Sequence, residues 1–189
     1  MGLLVNTLHA VQKGRIIMCA QMISMQVPLD EQWRSAWALV KRSFRSSLHY
    51  AFASVNADGT PHVTPIGSLL LKEEAPSGFY FELFTRQLPH NLEQQPQVCI
   101  LAVNSSKWFW FRALLLGRFP SPPAVRLRGT VGARRQSTPE EIALWRKRIG
   151  WTRWLKGHRL LWGNLRFVRD IHFDSIEPVQ LGLMTRGLW

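Results

Sequence analysis

Cysteine is nearly absent: Cys19 and Cys99 are the only two in 189 residues, and they lie far apart in the chain. No CxxC or Cys/His spacing accompanies them, which excludes a disulfide framework and a structural zinc site. Cys99 falls inside the apolar run VCILAV, where a thiol behaves as a small hydrophobe. The expected setting is therefore reducing and cytoplasmic.

Long hydrophobic runs are also missing. A spanning helix needs roughly 20 consecutive apolar residues, and the N-terminal stretch is interrupted by Lys13 and Arg15. It offers neither a continuous apolar region nor an A-x-A cleavage site, so it does not read as a secretory signal. Met18, Met22 and Met25 lie within it as alternative starts. Residues 1–28 are accordingly expected to be a flexible extension, with one domain over 29–189, a length that suits a single core.

Acidic residues are scarce, 12 against 24 Lys plus Arg, for a net charge of +12. The imbalance is local. Residues 105–170 hold 15 basic and 3 acidic side chains, whereas the remainder of the chain holds nine of each. A surplus so placed suggests an anionic partner, which could be a phosphate-bearing cofactor, a nucleic acid or an anionic membrane surface. Catalytic signatures are absent as well: GxSxG, HExxH, GxGxxG and the P-loop do not occur. The six histidines are scattered. Any chemistry here is expected to come from a cofactor.

What the chain does contain is a helix followed by short β-type runs. PLDEQWRSAWALVKRSF places Trp33, Trp37, Val40 and Phe44 on one helical face, with Lys41, Arg42 and Arg45 near the C-terminal end, where they suit the helix dipole. Runs at 49–55, 62–71, 78–84, 97–103, 124–133 and 166–183 follow, with turn chemistry between them. Such spacing predicts an antiparallel sheet or barrel of six strands, in an α+β, mainly β, chain with flanking helices. LPHNLEQQ reads as a short helix. STPEEIALWRKRI reads as a second, with Thr138 and Glu141 in capping-box spacing and Pro139 at the first helical position. A third is expected over 151–162, with Trp151, Trp154, Leu155, His158 and Trp162 on one face.

Two stretches raise questions. ASVNADGTPHVTPIGSLLL pinches two β-type runs around Asp58-Gly59, yet its second arm carries Pro61 and Pro65, which donate nothing to a sheet ladder. SSKWFWFRALLLGRFPSPP (105–123) separates two strands that a short turn could join. Its apolar body and basic flanks suit a membrane-surface segment, a single-stranded nucleic-acid groove or a dimer interface, and dimer packing is the favoured of the three.

The order of these elements, together with DGTPHVTPIG and TRQLPHNLEQQPQV, resembles the pyridoxamine 5'-phosphate oxidase-like, FMN-binding split-barrel family over about residues 29–180. The resemblance implies a six-stranded split barrel, a homodimer and an FMN at the subunit interface. It places Val63, Thr64, Pro65 and Ile66 beside the flavin ring, and an edge turned toward a ligand would tolerate proline. It places the FMN phosphate against Leu83–Asn91: Thr85 with its hydroxyl, Arg86 with its charged fork, then Gln87, and His90 and Asn91 in the short helix. Family members often carry Lys in this loop, where this chain has Gln87, Leu88 and Pro89.

The implied activity is flavin-mediated hydride or electron transfer to a small-molecule substrate, with nicotinamide nucleotide as a candidate donor. The Arg-x-His substrate motif of the oxidase itself has no counterpart in IEPVQLGLMTRGLW, which argues against vitamin B6 oxidation. Arg126 and Arg128, which alternate with Val125 and Leu127 on one strand face, could approach the cofactor or lie in solvent. Two alternatives remain: a flavin- or haem-carrying protein without turnover, and a peripheral membrane or nucleic-acid binder using 105–166. His158 reads as a packed residue more readily than as a haem or metal ligand.

Overall fold

The computed structural model describes residues 29–188. The expected extension 1–28, with Cys19, lies outside the described residues, as does Trp189. Helix α1 (Leu29–Ser47) forms where the sequence spaces its aromatics: Trp33, Val40 and Phe44 are buried, joined by Ala36 and Leu39. Strands β1 (Tyr50–Val55) and β2 (Pro61–Ile66) make a hairpin, β3 (Leu69–Leu71) pairs with β4 (Ser77–Phe81), and α2 (Gln87–Gln94) leads into β5 (Gln97–Val103). Helix α3 (Lys107–Leu116) separates β5 from the long β6 (Ala124–Gln136). Helices α4 (Pro139–Ile149) and α5 (Lys156–Trp162) precede β7 (Phe167–Pro178).

The sheet is antiparallel and curled, in the order β2-β1-β5-β6-β7-β4-β3. It has seven strands, not the six expected. The run 62–71 divides at Gly67-Ser68, because its first half pairs with β1 and its second half with β4, on opposite flanks of the sheet. A Cβ at Gly67 would lie 2.9 Å from the Leu48 carbonyl oxygen, so the chain turns there where only glycine fits. Ser68 Oγ secures the turn by donating to the Phe81 carbonyl at 2.7 Å. Both prolines of the puzzling arm sit in β2, a terminal strand with one neighbour, and edge strands accommodate proline. Pro61 opens that strand, just after the turn in which Gly59 adopts a φ of +82°.

The other edge, β3, is covered by side chains. Trp33 Nε1 donates to the Lys72 carbonyl at 2.9 Å, Trp37 Nε1 to Leu71 at 3.3 Å, and Arg148 Nη1 to Leu69 at 2.8 Å. Carbonyls that could template another strand are thereby occupied. The capping box of α4 forms as expected: Thr138 N–H donates to Glu141 Oε2 at 2.8 Å and Glu141 N–H to Thr138 Oγ1 at 3.3 Å. Trp145 of the same helix is fully buried against Phe44, Phe81 and Trp162.

One expectation about the helices needs correction. Residues 151–162 do not form one helix. A 3-10 turn covers Gly150–Thr152, Leu155 is extended, and α5 begins only at Lys156. Trp151 and Trp154 are consequently exposed, and of the anticipated aromatic stripe Trp162 alone packs on the core. The 105–123 insertion contains α3, ended by Gly117 in the left-handed conformation. Phe119 folds back under it between Phe109 and Trp110, leaving Trp108, Phe111, Leu114, Leu115 and Leu116 exposed. Among the described residues no helix is long and apolar enough to cross a membrane.

Candidate functional site

A cavity of about 480 Å³ opens along β2, within the size range of small-molecule sites. One wall is the strand itself, from His62 through Ile66 into Gly67 and Ser68. The second is the segment Leu83–Leu88 that links β4 to α2. The third comes from the end of α5, through Leu161 and Trp162. Val63, Thr64, Pro65, Ile66, Leu83, Thr85, Arg86 and Gln87 therefore share one cavity, although the two segments are distant in sequence.

Within the Leu83–Leu88 wall the backbone is constrained. Phe84 has a φ of +56°, a left-handed conformation seldom adopted by a bulky residue, and its ring is 78% exposed. The turn at Phe84 carries the chain into Thr85, whose hydroxyl oxygen is buried and has no hydrogen-bond partner among the described residues. A buried unsatisfied hydroxyl costs roughly 1–3 kcal/mol, which a ligand oxygen could relieve. Arg86 follows as the N-cap of α2, with no side-chain cap on the helix and no acidic residue in its first turn. Among the described residues Arg86 is the one Lys or Arg in the lining, and no Asp or Glu joins it there. The open N–H groups of α2 add partial positive charge to the same wall.

His90 and Asn91 are placed differently. Neither lines the cavity. His90 is exposed, and its Nε2 lies 3.5 Å from Gln94 Nε2. Asn91 is fully buried and donates through Nδ2 to Ser54 Oγ at 3.1 Å and Asn56 Oδ1 at 2.9 Å, while its Oδ1 accepts from Gln87 Nε2 at 2.8 Å. Asn56 in turn holds Thr60 Oγ1 at 3.0 Å. The amide of Asn91 thus ties α2 to the β1–β2 turn and positions both cavity walls without touching the space between them.

Arg126 and Arg128 are also away from the cavity. Both reach Glu177 across the β6–β7 ladder, at 2.6 and 2.8 Å. His158 shares a hydrogen bond with Thr152 Oγ1 at 2.8 Å. Leu161 and Trp162 belong to the site but were not anticipated from the sequence. What brings Trp162 there is its contact with Trp145, ring centroids 4.8 Å apart, a pairing with no local signal.

Comparison with known proteins gives a consistent picture of the fold. The family described as pyridoxamine 5'-phosphate oxidase matches residues 39–168. No curated protein sequence matches the chain. Among solved structures, an FMN-binding protein from Syntrophomonas wolfei is similar over 93% of this chain and 98% of its own, with a TM-score of 0.54 and 13% identity. HutZ, the heme storage protein of Vibrio cholerae, is similar over 77% of this chain and 95% of its own, with a TM-score of 0.50 and 15% identity. HupZ of Group A Streptococcus is similar over 79% and 94%, with a TM-score of 0.50 and 18% identity. At these identities the likeness is one of fold.

Proposed function

The chain belongs to the pyridoxamine 5'-phosphate oxidase family, and from that premise we propose that it binds FMN along β2 and acts as a flavin-dependent oxidoreductase on a small molecule. The observation that carries this reading is the buried, unpartnered Thr85 hydroxyl beside Arg86, at the uncapped N-terminus of α2. A phosphate needs hydroxyl and N–H donors with a cation, and these residues supply that set.

In this reading Thr85 and Arg86 hold the phosphate, and Val63–Ile66 give the ring system an edge strand on which Pro65 presents no N–H. Pro65 and Ile66 would contact it through apolar surface, with Trp162 closing the far end. Bound flavin supplies hydride or electron transfer. The chain's own part is to hold the ring against β2 and keep water from it. Asn91 keeps the two walls in register.

We place a second copy of the chain over the open side. Val63 and Phe84 at the cavity rim are 60% and 78% exposed, an apolar margin that a homodimer would cover. Haem is the competing occupant. Among the described residues His62 is the one histidine in the lining, and its Nε2 is already 2.8 Å from Thr64 Oγ1, which favours flavin.

The absorption spectrum of the purified protein, before and after FMN is added, tests this. Flavin bands that remain after gel filtration are expected. A Soret band would replace flavin with haem, and a colourless protein that ignores added FMN would end both readings.

A further inference from the structure

A second cavity, about 600 Å³, lies between α1 and α4 over the β3 edge. Trp145 touches a wall of each cavity, Trp162 of the first at 4.8 Å and Phe44 of the second at 6.1 Å. The second cavity is independent of the flavin reading. Among the described residues its lining includes Lys41, Arg45, Lys147 and Arg148 and not one carboxylate.

Arg126, Arg128, Arg134, Arg135 and Arg169 each have a carboxylate within 4 Å, whereas none of the four cavity cations has one among the described residues. Arg148 is held by neutral groups instead: it donates to the Leu69 carbonyl and to Tyr50 Oη, both at 2.8 Å, and lies 3.9 Å above the Phe44 ring. Lys41 sits 4.6 Å over the Trp37 ring. Two neutral acceptors fix the guanidinium without cancelling its charge. Four like charges border one concavity, and an anion entering it would be attracted to all four.

The walls specify the rest of the ligand. Trp37 and Phe44 line the α1 side, and Trp151, also in the lining, is 60% exposed and has no aromatic partner among the described residues. A flat ring could lie against its face, since such stacking adds to the burial of apolar area. We propose that this cavity is a binding site for a planar aromatic molecule carrying an anionic group, with the ring against Trp151 and Trp37 and the anion directed to Lys41, Arg45, Lys147 and Arg148.

The probe is 8-anilinonaphthalene-1-sulfonate, a fluorescent aromatic sulfonate, compared with the uncharged N-phenyl-1-naphthylamine. Saturable binding of the sulfonate at one site per chain is expected. It should weaken about tenfold in Lys147→Glu and in Arg45→Glu, each removing one charge-assisted contact. Both residues are exposed, so these variants should fold, which circular dichroism checks. Trp151→Ala should weaken it as well, and the uncharged analogue should be insensitive to the charge reversals. Sulfonate binding that survives both reversals, or that is lost in Leu115→Ser on the exposed face of α3 instead, would overturn the proposal.

Discussion

Arg169 Nε donates to Glu82 Oε2 at 2.6 Å, and the two side chains are only 5% and 8% exposed. Arg134 Nε lies 3.1 Å from the other carboxylate oxygen. Two cations thus grip one carboxylate where the chain leaves β4 for the wall of the cavity. Glu82→Gln is expected to lower stability by about 3 kcal/mol, because Arg169 would remain buried without a counter-charge. Urea unfolding measures this, and a loss below about 1 kcal/mol would place the pair among ordinary surface bridges.

The buried amide of Asn91 serves three partners at once. Asn91→Ala leaves Ser54 without its donor and Asn56 with only the longer bond from Gln87 Nε2, 3.4 Å, and is expected to cost about 2 kcal/mol. FMN affinity should fall in the same variant, since the two walls lose their common tie. Unchanged stability together with weakened FMN binding would instead mean that Asn91 touches the ligand directly.

Thr85→Ala and Arg86→Ala test the phosphate assignment. Arg86→Ala is expected to weaken FMN binding at least tenfold, or about 1.4 kcal/mol, with a smaller loss from Thr85→Ala. Thr85→Ala should leave the folded state no less stable, because the hydroxyl it removes is unsatisfied in the free protein. Equal FMN affinity in both variants, read by quenching of flavin fluorescence, would move the phosphate to another loop.

Arg135 joins β6 to β7 and α4: its Nε is 2.6 Å from Asp170 and its Nη1 3.0 Å from Glu141. Hydrogen bonds from Arg135 hold the Asp170 carboxyl below the usual aspartate value. A carboxyl lowered in the folded state stabilises at any pH above its unfolded value. That contribution disappears as the pH falls through the folded value. The stability difference between wild type and Asp170→Asn should therefore be constant above about pH 4 and shrink below it. Urea midpoints from neutral to strongly acid pH measure this, and a gap that persists in acid would contradict the assignment.

The elements that were legible in the sequence are those whose signals are local. Strand β5 spans residues 97–103 as expected, and Thr138, Pro139 and Glu141 mark the start of α4 before any tertiary contact forms. The run 62–71 misled because its division depends on partners: β1 claims one half and β4 the other. Helix α3 shows no periodicity, since KWFWFRALLL is apolar around nearly its whole circumference. The shared face expected over 151–162 presumed one unbroken helix, which the extended Leu155 prevents. At the site, the residues of β2 and Leu83–Gln87 meet in one cavity, but Trp162 arrives through a core contact that no motif announces.

Gly67 and Ser68 also bear on how the sheet acquires its curvature. The hairpins β1–β2 and β3–β4 are each local, yet they dock on opposite flanks of the β5–β6–β7 ladder. Between Ile66 and Leu69 the chain can reach at most about 11 Å. Both hairpins can be seated only when the flanks of the ladder have rolled toward each other within that reach. The two-residue link is thus a tether that sets the diameter of the roll, and the cavity, which has Gly67 and Ser68 in its wall, lies along the closing line. A longer tether would let the sheet relax toward flatness and widen the cavity without altering any residue that faces a ligand.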